Sequence, residues 1–121
     1  MNKVSELTGA LLDYWVSRAE GVPAEELTIE PVPRTAYFIC VRRVAGAVPR
    51  ALNWSSEPTL WAPLIEKYRF DLLRGFGADW MASPPGMDAA WFCHGHTPEE
   101  AICRAVVRAA FGDEVGEVSA C

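Results

Sequence analysis

The sequence predicts an α+β fold, in which a small and mainly antiparallel sheet packs against two amphipathic helices, one from each end of the chain. Apolar residues recur at helical spacing near both termini, and aromatic and β-branched residues are concentrated at 35–44. A length of 121 residues fits one domain that spans 1–121. Half of the residues are apolar and 22% are charged, which is typical of a globular protein.

The first predicted helix runs from residue 5 to about residue 20. Ser5 can cap it, and apolar side chains recur at helical spacing between Leu7 and Val16. Gly9 lies inside this span, where glycine costs about 1 kcal/mol relative to alanine, so its position predicts close packing. The prolines of residues 22–34 then predict an irregular connection with one helical turn at its start.

The next part of the chain is predicted to contain a strand, a loop and a short helix. Residues 35–44 form the strand, and the polar, aromatic and proline-interrupted residues 53–63 form a structured loop. A short helix can occupy residues 63–68, since proline suits a first helical turn.

Two further strands are predicted, one at 70–73 or at 79–82 and the other at 89–93. Residues 83–86 (Ser-Pro-Pro-Gly) are turn formers and lie between the last two of these segments. This order favours a hairpin.

The last helix has the clearest start signal in the sequence. Residues 97–100 (Thr-Pro-Glu-Glu) form a capping box, in which the Thr97 hydroxyl and the Glu100 carboxylate satisfy free amides reciprocally. Apolar residues between 102 and 109 give the helix its buried stripe, and the next glycine ends it. The tail at 113–121 is predicted to be frayed.

Composition and charge exclude several classes of protein. The net charge of −5 argues against non-specific binding to duplex DNA, because phosphate neutralisation needs a basic face. The sequence has no apolar stretch of about 18 residues and no secretory signal, which predicts a cytoplasmic protein without a membrane partner. Cys40 and Cys103 lie in apolar segments and are predicted to be core thiols, since the cytosol disfavours structural disulfides.

Arginine and tryptophan are concentrated in neighbouring segments near the middle of the chain. Residues 31–56 contain no acid and four arginines, which are Arg34, Arg42, Arg43 and Arg50. Four of the five tryptophans fall between residues 54 and 91, and they are Trp54, Trp61, Trp80 and Trp91. Flat aromatic faces beside guanidinium groups suit a planar anionic ligand such as a nucleotide.

The residues predicted to contact such a ligand carry an indole ring, a guanidinium group or a hydroxyl donor. They are Trp54, Ser55, Trp61 and Arg50, with Arg42, Arg43 and Trp80 behind them. Each stacked base contributes about 1–3 kcal/mol, so two stacks and one arginine–phosphate pair suffice for micromolar affinity. The competing interpretation is that the tryptophans fill the core while the arginines are solvated at its rim.

Residues 93–96 (Cys-His-Gly-His) form the one cluster of metal-ligating residue types. Alternation along a strand would place His94 and His96 on one face, where Asp79 or Glu99 could add a third zinc ligand. Zinc sites need a matched ligand set, and no residue is spaced to complete a catalytic triad. The sequence therefore predicts no metal, no cofactor and no catalytic residue.

Three groups of motifs are spread along the chain. The first group is Leu7-Thr8-Gly9-Ala10-Leu11-Leu12-Asp13-Tyr14-Trp15-Val16 with Ala19-Glu20-Gly21. The last is Gly95-x-Thr97-Pro98 with Ala101, Arg104, Val107 and Phe111-Gly112. Between them lie Trp54-Ser55-Ser56-Glu57, Pro63-Leu64-Ile65-Glu66 and Trp80-x-Ala82. Together these motifs resemble the phage NinX-like family of small proteins.

The middle of the chain departs from the pattern of that family. Where family members usually carry Asp-Trp-Ala-Gln-Gly-Gly-Pro, residues 57–63 read Glu-Pro-Thr-Leu-Trp-Ala-Pro, so the glycine pair is absent. Residues 31–50 have no counterpart in the family. A ligand held by this loop would therefore be held differently here.

The resemblance implies a bacteriophage or prophage origin and supplies no established activity. With the ligand chemistry above, it predicts a non-enzymatic protein of the host bacterial cytoplasm that sequesters a small nucleotide-derived signalling molecule to counter anti-phage defence. A homo-oligomer with ligand sites at subunit interfaces is expected, because exposed aromatic residues on a small core favour self-association. Two alternatives stay open: an adaptor that binds a host protein through exposed aromatics, and a small nucleotide hydrolase that uses His94, His96 and a carboxylate.

Overall fold

The computed structural model describes residues 2–75, 79–86 and 91–118. Three α-helices lie in these ranges: α1 (Gly9–Ala19), α2 (Pro58–Tyr68) and α3 (Pro98–Phe111). The strands in the same ranges are β1 (Asn2–Lys3), β2 (Leu27–Pro31), β3 (Phe38–Arg42), β4 (Arg50–Ala51), β5 (Asp71–Arg74), β6 (Trp80–Ser83), β7 (Cys93–Gly95) and β8 (Glu114–Val115). The α+β class is therefore confirmed.

The described strands form three separate antiparallel ladders, where the sequence predicted a single sheet. β3 lies between β2 and β4, β6 lies between β5 and β7, and β1 pairs with β8. α1 packs on β2 and β3, α3 packs on β6 and β7, and the two helices pack on each other. Each three-stranded sheet thus buries its apolar face on a different helix, so the sheets do not merge. The predicted pair of helices was also incomplete, because α2 packs on α3 as well.

α3 lies at the centre of the hydrophobic core. Its residues 101–107 are all buried, because α1, α2, β6 and β7 surround it. A second, smaller cluster fills the space between α1 and the β2–β3–β4 sheet, and its members are Tyr14, Leu27, Ile29, Cys40 and Leu52. Cys40 and Cys103 are both fully buried free thiols, which confirms their prediction as core residues.

α1 begins four residues later than predicted. Residues Val4–Glu6 form a short 3-10 helix, and Thr8 precedes the first residue of α1. Gly9 opens α1 with a φ of 56°, the left-handed conformation that glycine adopts without steric cost. No atom lies within 4 Å of the position that a Cβ would occupy on Gly9. The glycine therefore serves the turn into the helix, and the predicted close packing is wrong.

α2 covers most of the segment that was predicted to be a loop. The carboxylate of Glu57 accepts a hydrogen bond from the Thr59 amide at 3.3 Å, and Pro58 occupies the first helical position. Pro63 lies inside the helix and removes one backbone hydrogen bond. The helix continues through it because Leu64 is buried against the core and the flanking turns pack with it. Tertiary burial outweighs the local cost of the proline.

α3 starts as the capping box predicts, with one change of partner. The Thr97 hydroxyl accepts the Glu100 amide at 3.2 Å, while the Glu100 carboxylate accepts the amide of His96 at 3.1 Å in place of that of Thr97. The predicted fraying of the tail at 113–121 is wrong at its start: β8 pairs with β1, and Val115 is buried at 3% exposure. Residues 119–121 lie outside the described part of the chain.

The predicted strands are present with shifted ends. The segment 35–44 shortens to β3, and both alternatives at 70–73 and 79–82 form strands, namely β5 and β6. β6 pairs with β7 in antiparallel fashion, which confirms the predicted pairing, although β7 begins at the end of the predicted segment 89–93. Of that segment, residues 89 and 90 lie outside the described ranges. In the part of the chain that is described, every helix is too short or too polar to cross a bilayer.

Candidate functional site

Arg42 and Arg50 lie opposite each other on β3 and β4. They are register partners in the antiparallel ladder, so their side chains leave the same face of the sheet. Arg42 donates from Nε to Glu26 Oε1 at 2.8 Å, and its Nη2 lies 2.7 Å from the same oxygen. Arg50 is exposed, and no carboxylate in the described residues pairs with it. The fold thus brings two predicted site residues together with one neutralising charge.

Arg43 is neutralised by the neighbouring strand. Its Nε and Nη2 donate to the two carboxylate oxygens of Glu30 on β2 at 2.5 and 2.6 Å. The guanidinium, together with a hydrogen bond from Thr28, lowers the pKa of Glu30 to about 2. Both side chains are partly exposed, at 52% and 23%, so the pair is worth little in stability and can exchange partners. Residues 31–56 contain no acid, but the fold places the carboxylates of Glu26 and Glu30 beside the arginines of this segment.

Trp54 lies half-buried between the two hydrophobic clusters. Its indole Nε1 donates to the hydroxyl of Ser17 on α1 at 2.8 Å, and its ring packs against both clusters. The amide of Ser55 donates to Oδ1 of Asp13 at 2.7 Å. These two contacts fasten the segment before α2 onto α1, and they occupy the polar edge of the indole.

Asp13 is a buried carboxyl that the sequence interpretation missed. It is 4% exposed, and burial raises its pKa to about 6, against the lowering effect of hydrogen bonds from Ser55. The negative charge of Asp13 also helps to raise the pKa of the Cys40 and Cys103 thiols, although burial is the larger cause in both. Asp13 and Ser17 lie four residues apart on a helix, so two polar side chains within an apolar stripe were a readable signal.

Trp61 and Trp80 pack against the main cluster, on α2 and β6. The arginines that lie over tryptophan rings come from outside residues 31–56. The guanidinium carbon of Arg74 lies 5.7 Å from the centroid of Trp80, and that of Arg108 lies 4.9 Å from the centroid of Trp91. The seven predicted contact residues therefore lie on different elements: Arg42 on β3, Arg43 directly after it, Arg50 on β4, the Trp54–Ser55 segment against α1, and Trp61 and Trp80 on α2 and β6. The three tryptophans among them pack against the main cluster.

The Cys-His-Gly-His segment alternates as predicted. Cys93 and Gly95 are buried, while His94 and His96 are exposed. His96 Nδ1 lies 3.6 Å from Oδ1 of Asp79, one of the two carboxylates that the sequence offered as a third zinc ligand. Within the ranges that the structure describes, no three potential ligands come close enough to hold a metal ion.

Arg104 is the buried cation of this region. It is 8% exposed and donates from Nε to the carbonyl of Leu7 at 3.0 Å and from Nη1 to that of His94 at 2.8 Å. Its Nη1 also lies 3.2 Å from the carboxylate of Glu100. Each partner lies on a different segment, so Arg104 joins α3 to β7 and to the segment before α1. This is a structural role for a residue in the family-like closing motif.

The described surface includes the following two cavities. One, of about 260 Å³, lies between β1, β7 and the end of α3 and contains the charges of Lys3, Arg108, Asp113 and Glu114. The other, of about 360 Å³, lies between the start of α1 and the β2–β3 turn. Tyr37 and Phe38 line it and are 74% and 50% exposed. Adjacent strand residues cannot both face a core, so these two aromatic residues carried a signal that sequence interpretation did not use.

Comparison with known proteins identifies the family. No curated protein matches the chain at a significant level. A family model described as bacteriophage P22 NinX matches residues 3–109, which include the opening motif, the closing motif except Phe111-Gly112, all of α1 and α2, α3 except its last two residues, and every predicted contact residue. Because the match covers most of its length, the chain belongs to the bacteriophage P22 NinX family.

Proposed function

We propose that this protein binds and sequesters a small nucleotide-derived signalling molecule, without chemical conversion, and so counters an anti-phage defence of the host. The observation that supports the proposal is the juxtaposition of Arg42 and Arg50 on one face of β3 and β4. Membership of a phage family gives the setting. The site of action would be the cytoplasm of the host, where such signals are made.

The charge balance at this face favours an anionic ligand. Like charges at facing positions of an antiparallel pair destabilise each other, and Glu26 offsets Arg42 alone. A phosphate group can bridge two guanidinium groups, because each presents a planar fork of donors. Arg43 lies next along the chain, and its exposed pair with Glu30 can open for a second phosphate at small cost.

The proposed aromatic contacts can be shared between two subunits of a homo-oligomer. Trp54, Ser55, Trp61 and Trp80 are all partly buried, and the three tryptophans pack against the main cluster, so each exposes only part of its side chain to a ligand. A homo-oligomer can place the aromatic edges of one subunit beside the arginines of another, since symmetric contacts juxtapose different surfaces. The proposal therefore includes a ligand site at a subunit interface.

Calorimetry against cyclic dinucleotides and ADP-ribose derivatives tests the proposal, together with mass spectrometry of small molecules released on denaturation. We expect one member of the panel to bind with at least micromolar affinity, and Arg50→Glu to weaken it by about tenfold or more through the loss of one charge-assisted contact. Arg69→Glu is the matched control, because Arg69 is also exposed but follows α2. Silence across the panel, with no small molecule released, would refute the proposal.

A nucleotide hydrolase is the second candidate, and the contact between His96 and Asp79 is the observation that favours it. A histidine oriented by a carboxylate can act as a general base. Recovery of the ligand chemically intact after heating of the complex would exclude this candidate.

An adaptor for a host protein is the third candidate. The rings of Tyr37 and Phe38 are exposed and could contact such a protein, whereas the tryptophans are half-buried. Pull-down from host lysate distinguishes an adaptor from a protein that sequesters a small molecule, because only the adaptor retains a stoichiometric protein partner.

A further inference from the structure

The cavity between the start of α1 and the β2–β3 turn has the properties of a separate ligand site. We propose that it binds one planar aromatic molecule that carries an anionic group, independently of the arginine pair. Its volume of about 360 Å³ lies within the range of small-molecule pockets, near the lower end. It therefore fits one fused ring system better than a whole dinucleotide.

The aromatic rim is the first observation that supports this ligand class. Tyr37 and Phe38 lie side by side at the edge of the cavity, with 74% and 50% of their surfaces exposed. Among the described residues, no side chain forms a hydrogen bond with the phenol of Tyr37, while its backbone amide donates to the Thr35 hydroxyl at 3.1 Å. Exposed neighbouring rings offer a stacking surface for a planar molecule.

The walls are the second observation. Ala10, Leu11, Ile29 and Val118 make the interior apolar, and no charged side chain lines the cavity. A dry apolar wall disfavours water and favours a ring system that buries its faces there. Ala36 completes the rim on the side of the β2–β3 turn.

The backbone at the start of α1, which lines the cavity, favours an anionic ligand. Gly9, Ala10 and Leu11 form both the first turn of α1 and part of the wall, and the side chain of Thr8 makes no capping hydrogen bond. The first amides of a helix lack intrahelical acceptors, so an acid group on the ligand can accept from them. Gly9 has no side chain to cover these amides, and nothing lies within 4 Å of its missing Cβ.

Fluorescence titration with anilinonaphthalene sulfonate, a planar aromatic anion, tests the proposal. We expect saturable binding at one site per chain, and a loss of about tenfold in affinity in Tyr37→Ala, because one ring stack disappears. Ala36→Trp should reduce binding at least as much by filling the cavity without removing any core contact. Leu73→Ala is the matched control, because Leu73 is a 48% exposed apolar residue of β5.

Two comparisons make the outcome specific. N-phenyl-naphthylamine, the uncharged analogue of the probe, should bind about tenfold more weakly, and equal binding would overturn the assignment of an anion-selective site. Arg50→Glu should leave the affinity for the sulfonate unchanged, so this site and the arginine face succeed or fail separately. The ligand site is refuted if Tyr37→Ala and Ala36→Trp bind the probe as the parent protein does. It is equally refuted if light scattering reveals a dimer that Tyr37→Ala dissociates, because this face would then be an interface between two copies.

Discussion

Asp13 provides the sharpest test of how the fold is held together. Its carboxyl is 4% exposed, and the amide of Ser55 donates to it at 2.7 Å. Burial raises its pKa from the ordinary 3.8 to about 6, so the folded state binds the acid proton more tightly than the unfolded state does. We therefore expect Asp13→Asn to stabilise the protein at neutral pH, because asparagine keeps an acceptor oxygen for Ser55 and removes the buried charge.

The magnitude follows from the pKa shift of Asp13. A rise from 3.8 to about 6 corresponds to about 3 kcal/mol, at 1.36 kcal/mol per pH unit. Below about pH 4 both states are protonated and the full stability is present. Between pH 4 and 6 the unfolded state ionises first, so stability falls as pH rises, and above pH 6 it levels off. Because the asparagine amide must also be desolvated, we expect a gain of about 1–3 kcal/mol for Asp13→Asn at pH 7.5.

Urea unfolding followed by circular dichroism at pH 4, 5, 6 and 7.5 measures this difference. The parent and Asp13→Asn should be nearly equal at pH 4 and diverge up to about pH 6. The Glu30–Arg43 pair acts in the opposite direction, because the lowered pKa of Glu30 makes its contribution vanish only as pH falls from 4.5 towards 2. Asp13→Ala is the control: it removes the same charge but leaves the Ser55 amide without its acceptor, so it should be about 1–3 kcal/mol less stable than Asp13→Asn. If Asp13→Asn is less stable than the parent at pH 7.5, the buried charge is net favourable and the reasoning fails.

Three further predictions concern packing, hydrogen bonding and thiol reactivity. Gly95→Ala should lower the free energy of unfolding by about 1–3 kcal/mol, because the new Cβ would lie 2.5 Å from a backbone nitrogen of α3. Gly116→Ala is the control, since its Cβ meets no atom within 4 Å and should change the free energy of unfolding little. Equal effects of the two variants in denaturant titrations would contradict the close approach at Gly95. Trp54→Phe should cost about 1–2 kcal/mol through loss of the hydrogen bond to Ser17, and a neutral result in the same assay would mean that this bond contributes nothing. Cys40, whose pKa burial raises to about 11, should resist aromatic disulfide reagents at pH 8 until denaturant is added; peptide mapping that finds it labelled in the folded protein would show that it is accessible.

The sequence predicted those helices and strands whose ends are set by residues adjacent in the chain. Thr97 and Glu100 gave the start of α3, and the aromatic and β-branched residues around Cys40 gave β3. Pro63 misled the prediction of α2, because its local cost as a helix interior residue is visible in the sequence. The burial of Leu64 that offsets this cost is not visible there.

The candidate site was predicted less completely, because charge balance depends on pairing across strands. Arg42 and Arg43 lie in a run without acids, yet Glu26, directly before β2, pairs with Arg42, and Glu30 on β2 pairs with Arg43. Which carboxylate faces which guanidinium depends on strand register, and register is set by the burial of the whole sheet face. Arg50 is an exposed residue opposite Arg42, and its predicted contact with a ligand stays a prediction.

The sequence by itself determined the α+β class, the family, the capped start of α3 and the positions of the core thiols, since each depends on residue type and short-range spacing. Only the tertiary structure decided that the strands divide into separate ladders, that Trp54 and Ser55 are fastened to α1, and that Tyr37 and Phe38 face an open cavity. These features depend on contacts between segments distant in sequence. The free energies of these contacts are comparable with local helix and strand propensities, but a short segment of sequence does not reveal them because the partners are far apart in the chain.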